Sequence, residues 1–351
     1  MYGNAENEAK DFKAAKTLSK ISRNANIIQT HFPRAVPDDM LIDHVTKIID
    51  RHGFNPASAI NLVATCRDEI CRPFTQKLDG VWGSSTNIAS LAGLCFCGRT
   101  GFKTAMSCAP IVGGIERCVI WAAPHIGLDL EGAAGRVHRP GRAAASTSCS
   151  AMLAFHDELK RGRLQATLDP NDIELSLLRQ QLARSLRFDQ IPTLVELTYH
   201  AYETIVTEIR KLIAISTNPL ACEFVIIGGV QVHGPDGQDF FWPGAMVKVA
   251  GGVEEDLSHE FFASIAAAAN AANAAADAAD APPALQDDDD SGPSGPCPSH
   301  NQPQRRAPEP ATDLSAGRAG PRPPPGNPSQ DEDDAPAPAL VAPRSHASPP
   351  S

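Results

Sequence analysis

The stretch GGIERCVIWAAPHIGL, residues 113–128, decides the fold of this chain. Its two glycines predict a turn, and the apolar run after them is typical of a strand that ends near His125. AINLVAT, residues 59–65, predicts a short buried strand earlier in the chain. Two later apolar runs, CEFVIIGGVQVHG at 222–234 and AMVKVAG at 245–251, predict two more strands.

Segments with helical periodicity surround these strands. The predicted helices are Glu8–Ser22, Asp38–Arg51, Asp68–Leu78, Ser148–Leu159, Asn171–Arg187 and Leu194–Ile213. Strands that alternate with helices predict an α/β domain with a mainly parallel central sheet flanked by helices. Ligands of such domains gather at the carboxyl ends of the strands.

The composition changes sharply near the C-terminus. From Ala281 onward the chain holds 18 of its 30 prolines and no Phe, Trp or Tyr. Such a segment cannot bury a core, so we predict that it is disordered. The sequence therefore predicts one folded domain over residues 1–265, and an Ala-rich linker with a Pro- and Asp-rich disordered tail over residues 266–351.

Charge and hydropathy exclude several classes of protein. The formal net charge is −10, and no basic stripe interleaved with aromatic residues indicates a nucleic-acid binder. No apolar segment approaches the roughly 20 residues of a membrane helix. Glu6, Glu8 and Asp11 argue against a secretory signal and against an acid-poor transit peptide. The nine cysteines do not form the pattern of a small secreted disulfide scaffold, which favours a reducing compartment.

Three residues form a candidate metal site. Cys66 follows the strand at 59–65, His125 ends the next strand, and Cys149 lies in STSCSAM, where a helical pattern begins. Two thiolates and one imidazole suit zinc, and three protein ligands leave the fourth position open, as in catalytic zinc sites. The alternative is that the cysteines are structural, because a free cysteine often packs as a small core residue.

The other signals are weaker. Cys95 and Cys97 form a C-x-C pair that either binds metal or packs near the site. A thiol hydrolase built on Cys149 and His125 would leave the CRDE segment at 66–69 unexplained. The cysteines that the sequence predicts to lie in the core are Cys71, Cys108, Cys118 and Cys222.

Several of these segments resemble one protein family. CRDEI, GLCFCGRTGF, ERCVIWAAPHIGLDLEGAAGRVHRPGR and STSCSAM, in this order, resemble the limiting-CO2-inducible B/C proteins of algae, a theta-class carbonic-anhydrase-like family. The late strand CEFVIIGGVQVH is also similar, so that the resemblance covers roughly Leu41 to His233. It implies a beta-carbonic-anhydrase-like fold, dimerisation, and zinc held by Cys66, His125 and Cys149.

The resemblance also implies a reaction. Zinc hydroxide would attack CO2 to give bicarbonate, reversibly, as part of an algal-type CO2-concentrating system. Asp68 and Arg67 would be the catalytic polar pair, with Asp68 accepting a hydrogen bond from the hydroxide and Arg67 holding Asp68 away from the metal. If that pairing fails, Asp68 would take the fourth position and close the site. The competitors for the role of Arg67 are Arg72, Arg139 and Arg142.

The ligand set predicts how activity depends on pH, and two positions differ from the ordinary beta-class sequence pattern. Zinc with two thiolates and one imidazole is formally neutral, so we expect activity that rises toward alkaline pH. The ordinary beta-class pattern has a thiolate three residues after the histidine and an arginine two residues after the aspartate, whereas Leu128 and Ile70 stand at those positions. Cys149 takes the place of the thiolate in the B/C family.

The resemblance leaves the function, the partner and the compartment open. The alternative function is a catalytically inactive zinc-binding homologue that serves as a subunit or scaffold for a related chain. The expected partners are CO2, bicarbonate and a second chain, in a homodimer or a heterodimer. The expected compartment is the chloroplast, with the cytoplasm as the alternative.

Overall fold

The structure is a computed structural model that describes residues 25–279, apart from 140, 143, 166 and 188–190, and apart from the side chains at 185, 236 and 272–279. The predicted helix Glu8–Ser22 and the predicted tail from Ala281 lie outside the described residues. The helices are α1 (25–31), α2 (Asp38–Arg51), α3 (Arg72–Trp82), α4 (Gly98–Met106), α5 (Ser150–Lys160), α6 (Ile173–Ser185), α7 (Leu194–Ser216) and α8 (Ser258–Ala279). Short 3₁₀ turns cover Glu69–Cys71, Leu91–Gly93 and Pro235–Gly237.

The strands form one large sheet and one small hairpin. They are β1 (Val36–Pro37), β2 (Ala59–Thr65), β3 (Thr86–Asn87), β4 (Ile111–Val112), β5 (Ile115–Ala123), β6 (His125–Gly127), β7 (Arg136–Val137), β8 (Ser146–Thr147), β9 (Cys222–His233), β10 (Asp239–Ala250) and β11 (Val253–Asp256). The order of the large sheet is β1-β10-β9-β5-β2-β3, and β7 pairs with β8 in the hairpin.

The predicted α/β architecture is confirmed. Strand β2 is parallel to β3 and to β5, and β9 is parallel to β5 and to β6. Strand β10 is antiparallel to β9, because the five residues of the loop 234–238 can join only antiparallel neighbours. The strand predicted at 245–251 is the second half of β10.

Both faces of the sheet are covered, which explains the unbroken apolar runs in the sequence. Ile120 and Ala122 of β5 pack on one face, in a core that includes residues of α7. Val119 and Trp121 pack on the other face, in a core that includes residues of α2, α3 and α8. The strand ends that carry the candidate ligands therefore lie between two helical layers.

The start of one predicted helix differs from what the structure shows, and another helix continues past the predicted end of the domain. The helix predicted from Asp68 begins as a 3₁₀ turn, in which Asp68 Oδ1 accepts a hydrogen bond from the Ile70 amide at 3.5 Å, and α3 follows from Arg72. Helix α8 continues without a break through residue 265, the predicted end of the domain, and buries Phe261 fully. The boundary at 265 stays a prediction. Within the described residues no helix combines the length and the apolar character that crossing a bilayer requires.

Candidate metal centre

Three elements of the fold bring the predicted ligands together. Cys66 directly follows β2, His125 begins β6 just after β5, and Cys149 is the residue that precedes α5. Thr65 and Ala123 are register partners of the parallel pair β2 and β5, so the carboxyl ends of these strands meet at one edge. All three side chains are buried, and their ligand atoms lie within 4.8 Å of one another.

The donor set fits zinc. The Sγ atoms of Cys66 and Cys149 are 3.8 Å apart, the separation of about 3.8 Å expected for two sulfurs each about 2.3 Å from a tetrahedral zinc ion. This distance is too long for a disulfide, and both cysteines are free. Nε2 of His125 is buried and has no hydrogen-bond partner among the described residues. A buried polar atom without a partner is costly, and a metal ion would give it one.

A tight loop supports Cys66 from one side. The backbone N–H of Ala92 donates to Cys66 Sγ at 3.2 Å. Ala92 has a φ of 56° and Gly93 a φ of 83°, and a Cβ atom on Gly93 would lie 2.7 Å from the carbonyl oxygen of Ala123. Glycine at this position lets the loop approach the ends of β2 and β5.

The two thiols share their protons unequally. The hydrogen bond from Cys149 lowers the pKa of Cys66 to about 4, and the same contact raises the pKa of Cys149 well above its usual value. The buried contact therefore favours ionisation of Cys66 over ionisation of Cys149. Binding of zinc would release any proton that the two thiols still hold, because a thiol ligates zinc as the thiolate.

Asp68 lies beside the metal centre and is held by an arginine. Its Oδ2 atom is 3.9 Å from His125 Nε2, and its Oδ1 atom accepts a hydrogen bond from Arg139 Nη2 at 2.8 Å. Arg139 also pairs with Glu69 and donates from Nη1 to the carbonyl oxygen of Thr147 at 2.7 Å. Burial raises the pKa of Asp68, and the hydrogen bond from Arg139 opposes this shift.

Arg67 does not pair with Asp68, contrary to the prediction. Its Nη2 atom lies 2.8 Å from Oε1 of Glu174 on α6, and its side chain is 60% exposed. The backbone at Asp68 is extended, with φ −56° and ψ 134°, and consecutive side chains of an extended chain point to opposite sides. Arg139, one of the competitors for this role, contacts Asp68 instead.

A cavity of about 400 Å³ opens over the metal centre. Cys66, Asp68 and Cys149 line it, together with Arg67 and Arg139. Cys66 and Cys149 are therefore buried but face a space that is large enough for small molecules.

Two functional candidates, His233 and Asp239, are not among the residues predicted from the sequence. His233 Nε2 lies 3.2 Å from His125 Nδ1, and His233 Nδ1 lies 2.7 Å from Asp239 Oδ1. Burial lowers the pKa of His233, which favours its neutral form. His233 and Asp239 flank the short loop between β9 and β10, and this hairpin spacing is the signal that could have found them.

The remaining cysteines follow the predictions with one exception. Cys71, Cys118 and Cys222 are buried, whereas Cys108 is exposed and not a core residue. Cys108 lies in the turn that follows α4, where the chain has left the sheet layer. Among the described residues, neither Cys95 nor Cys97 belongs to a group of side chains with the geometry of a metal site.

Comparison with known proteins identifies the family. The family profile of the limiting CO2-inducible proteins B/C beta carbonic anhydrases matches residues 35–250. The comparison with curated proteins yields no significant match.

Solved structures agree with this match. The crystal structure of the limiting CO2-inducible protein LCIB is 29% identical, covers 65% of this chain and 95% of its own, and superposes with a TM-score of 0.54. That of PtLCIB4, a homolog of LCIB, is 23% identical, covers 66% of this chain and 98% of its own, and superposes with a TM-score of 0.57, which shows a shared fold. The chain belongs to the limiting CO2-inducible protein B/C family of beta carbonic anhydrases.

Proposed function

We propose that this protein catalyses the zinc-dependent, reversible hydration of CO2 to bicarbonate. The observation that carries the proposal is the convergence of Cys66, His125 and Cys149 below an open cavity of about 400 Å³. A set of three protein ligands that leaves one position open is typical of catalytic zinc sites, whereas structural zinc sites use four.

The three ligand side chains would hold zinc through Cys66 Sγ, Cys149 Sγ and His125 Nε2. Bound zinc supplies a Lewis acid that makes water nucleophilic near neutral pH. Because zinc bound by two thiolates and one imidazole would carry no net charge, we expect activity to rise toward alkaline pH.

Asp68 is placed to orient the reacting water. Its Oδ1 atom accepts from Arg139, and Oδ2, on the side of His125 Nε2, would accept a hydrogen bond from the reacting water. Once the water has lost one proton to solvent, the hydroxide that donates a hydrogen bond to Oδ2 would keep a lone pair free to attack the carbon of CO2, which gives bicarbonate. In the reverse direction, Oδ2 would accept a hydrogen bond from the hydroxyl group of bicarbonate. Bicarbonate would then bind with its protonated oxygen next to Asp68.

Arg139 restrains Asp68. Its guanidinium contacts Asp68 and Thr147 at once, so a movement of the carboxylate toward the metal would break a charge-assisted hydrogen bond. A carboxylate that did move there would close the fourth position. That closed arrangement is the alternative, an inactive zinc-binding subunit or scaffold for a related chain, and the 3.9 Å between Asp68 Oδ2 and His125 Nε2 makes it sterically accessible.

The family membership supports two wider proposals. We propose that the protein acts as a dimer, with a second copy or with a related chain, in a CO2-concentrating system of the chloroplast. Light scattering of the purified protein tests the proposed homodimer, and a monomer at micromolar concentration would contradict it.

The decisive experiment is CO2 hydration by stopped-flow at several alkaline pH values, on protein of known zinc content. Cys66→Ser is the test variant, and Cys108→Ser is the matched control because Cys108 is exposed and lies outside the metal centre. We expect activity in proportion to zinc, lost in Cys66→Ser and kept in Cys108→Ser. Full zinc occupancy without activity at any pH would reject the enzyme and favour the scaffold.

A further inference from the structure

A chain of three side chains leads away from the metal centre. It runs from His125 Nδ1 to His233 Nε2 at 3.2 Å, and from His233 Nδ1 to Asp239 Oδ1 at 2.7 Å. The side chains of His125 and His233 are almost fully buried, and that of Asp239 is 14% exposed. The free end of the chain is His125 Nε2, the atom that has no hydrogen-bond partner within the described part of the protein.

The contacts fix which nitrogen carries each proton. An ionised carboxylate only accepts hydrogen bonds, so the proton of neutral His233 resides on Nδ1, facing Asp239. His233 Nε2 then presents a lone pair, and His125 must donate to it from Nδ1. His125 Nε2 is left as a lone pair directed at the site formed with Cys66 and Cys149.

The neighbouring contacts agree with this assignment. The Sγ atom of Cys71 lies 3.9 Å from His233 Nε2, and its thiol can add a second, weak donor to that lone pair. Ser148 Oγ lies 3.4 Å from His125 Nδ1 and can accept from the same N–H. A proton on His125 Nε2 instead of Nδ1 would set the lone pairs of His125 Nδ1 and His233 Nε2 against each other at 3.2 Å.

The sheet holds the chain of side chains in place. Asp239 and His233 are register partners across the antiparallel pair β9 and β10. His233 is also the register partner of Gly127, two residues after His125, across the parallel pair β6 and β9. The relative positions of all three side chains are thus set by backbone hydrogen bonds of the sheet.

We propose that His233 and Asp239 are positioning residues that fix the proton of His125 on Nδ1 and so raise the affinity of the centre for zinc. This inference rests on the zinc site of the proposed function. A histidine that ligates a metal gains basicity and a fixed ring orientation when its other nitrogen donates to a fixed acceptor. Neither His233 nor Asp239 need touch the substrate for this effect.

The test measures zinc affinity, not activity. Full-length, zinc-loaded protein is titrated with a chromophoric chelator, and the thermal unfolding of the zinc-free form is recorded beside it. The variants are His233→Phe, which removes the acceptor, His233→Gln, whose amide oxygen can replace it, and Asp239→Asn, which keeps the shape and removes the charge. The matched controls are His52→Phe and Glu260→Gln, because His52 Nε2 and Glu260 Oε1 form a histidine–carboxylate pair at 3.0 Å outside the metal centre.

We expect His233→Phe to weaken zinc binding about 10- to 100-fold. Asp239→Asn should weaken it less, His233→Gln should recover most of the loss, and the two controls should bind zinc as the wild type does. The cobalt-substituted protein should show an altered visible spectrum in His233→Phe alone.

Two results would overturn the inference. One is wild-type affinity in His233→Phe and in Asp239→Asn, and the other is an equal loss of affinity in the controls. If His233→Phe does not fold, the isosteric Asp239→Asn decides. A wild type that binds zinc but lacks activity would reject only the enzyme, whereas a wild type that binds no zinc would overturn both proposals.

Discussion

Arg139 Nη2 donates to Asp68 Oδ1 at 2.8 Å, although 71 positions separate the two residues in the chain. The hairpin of β7 and β8 makes this contact possible, because Arg139 follows β7 and its Nη1 atom donates to Thr147 O of β8. The arginine therefore reaches Asp68 from an anchored position. Arg67, the neighbour of Asp68 in sequence, forms an ion pair with Glu174 instead.

Replacing Arg139 should impair catalysis far more than replacing Arg67. A hydrogen bond to a charged group is worth about 1.5–3 kcal/mol, so Arg139→Ala should lower kcat/KM about 10- to 100-fold. Arg67→Ala removes an exposed ion pair with Glu174 and should change kcat/KM by less than about threefold. Stopped-flow CO2 hydration at equal zinc content compares the two variants. A larger loss of kcat/KM in Arg67→Ala would mean that Arg67, not Arg139, holds Asp68 during catalysis.

Asp68→Asn should separate zinc binding from catalysis. The amide keeps the shape of the side chain but loses the negative charge that accepts the hydrogen bond of the reacting group, so we expect kcat to fall about 100-fold with zinc content unchanged. Glu69→Gln is the control, because Glu69 also pairs with Arg139 but its side chain is 68% exposed. An Asp68→Asn protein as active as Glu69→Gln would remove Asp68 from the mechanism.

Helix α8 should be part of the folded domain. Phe261 is fully buried in the layer that contains Phe241 and Met246 of β10. Phe261→Ala should lower the free energy of unfolding by about 3–5 kcal/mol, and Phe262→Ala, at a partly buried position, should lower it less. Urea denaturation measures the free energy of unfolding of both variants.

Deletion of residues 281–351 should leave zinc content and activity intact, because its composition predicts no contribution to the core. Deletion from Ser258, which also removes Phe261, is the contrasting variant and should destabilise the protein. Activity that disappears with the shorter deletion would place part of the functional unit in the tail.

The contact between α2 and α8 should weaken in acid. His52, and to a lesser extent Arg51, hold the pKa of Glu260 below its usual value near 4.5. A carboxylate with a lowered pKa stabilises the folded state above its unfolded pKa, and this contribution is lost as the pH falls through the folded pKa. The Tm difference between wild type and Glu260→Gln should therefore be present at pH 6–7 and shrink below about pH 4.5. A difference that grows in acid would contradict this assignment.

The sequence predicted the fold because its signals are local. Each apolar run, such as AINLVAT before Cys66, is long enough for one strand that is buried on both faces, and the runs alternate with helical periodicity. The ligand candidates could be chosen for the same reason, since Cys66 and His125 each come at the end of a predicted strand. The proximity of Cys66 and His125 then follows from the parallel order of β2 and β5.

The partners of these ligands could not be predicted in the same way. Arg139 was one of four arginines, and only the β7–β8 hairpin shows which guanidinium reaches Asp68. His233 and Asp239 lie six positions apart, but their contact depends on the antiparallel register of β9 and β10.

The sequence by itself determined the layered α/β architecture and the zinc-like donor set, because periodicity and residue chemistry are properties of short segments. Only the tertiary structure decided which side chains support the donors. Hydrogen bonds of about 3 Å between distant segments depend on the register of strands and the path of loops, to within an ångström. No spacing along the chain encodes that precision.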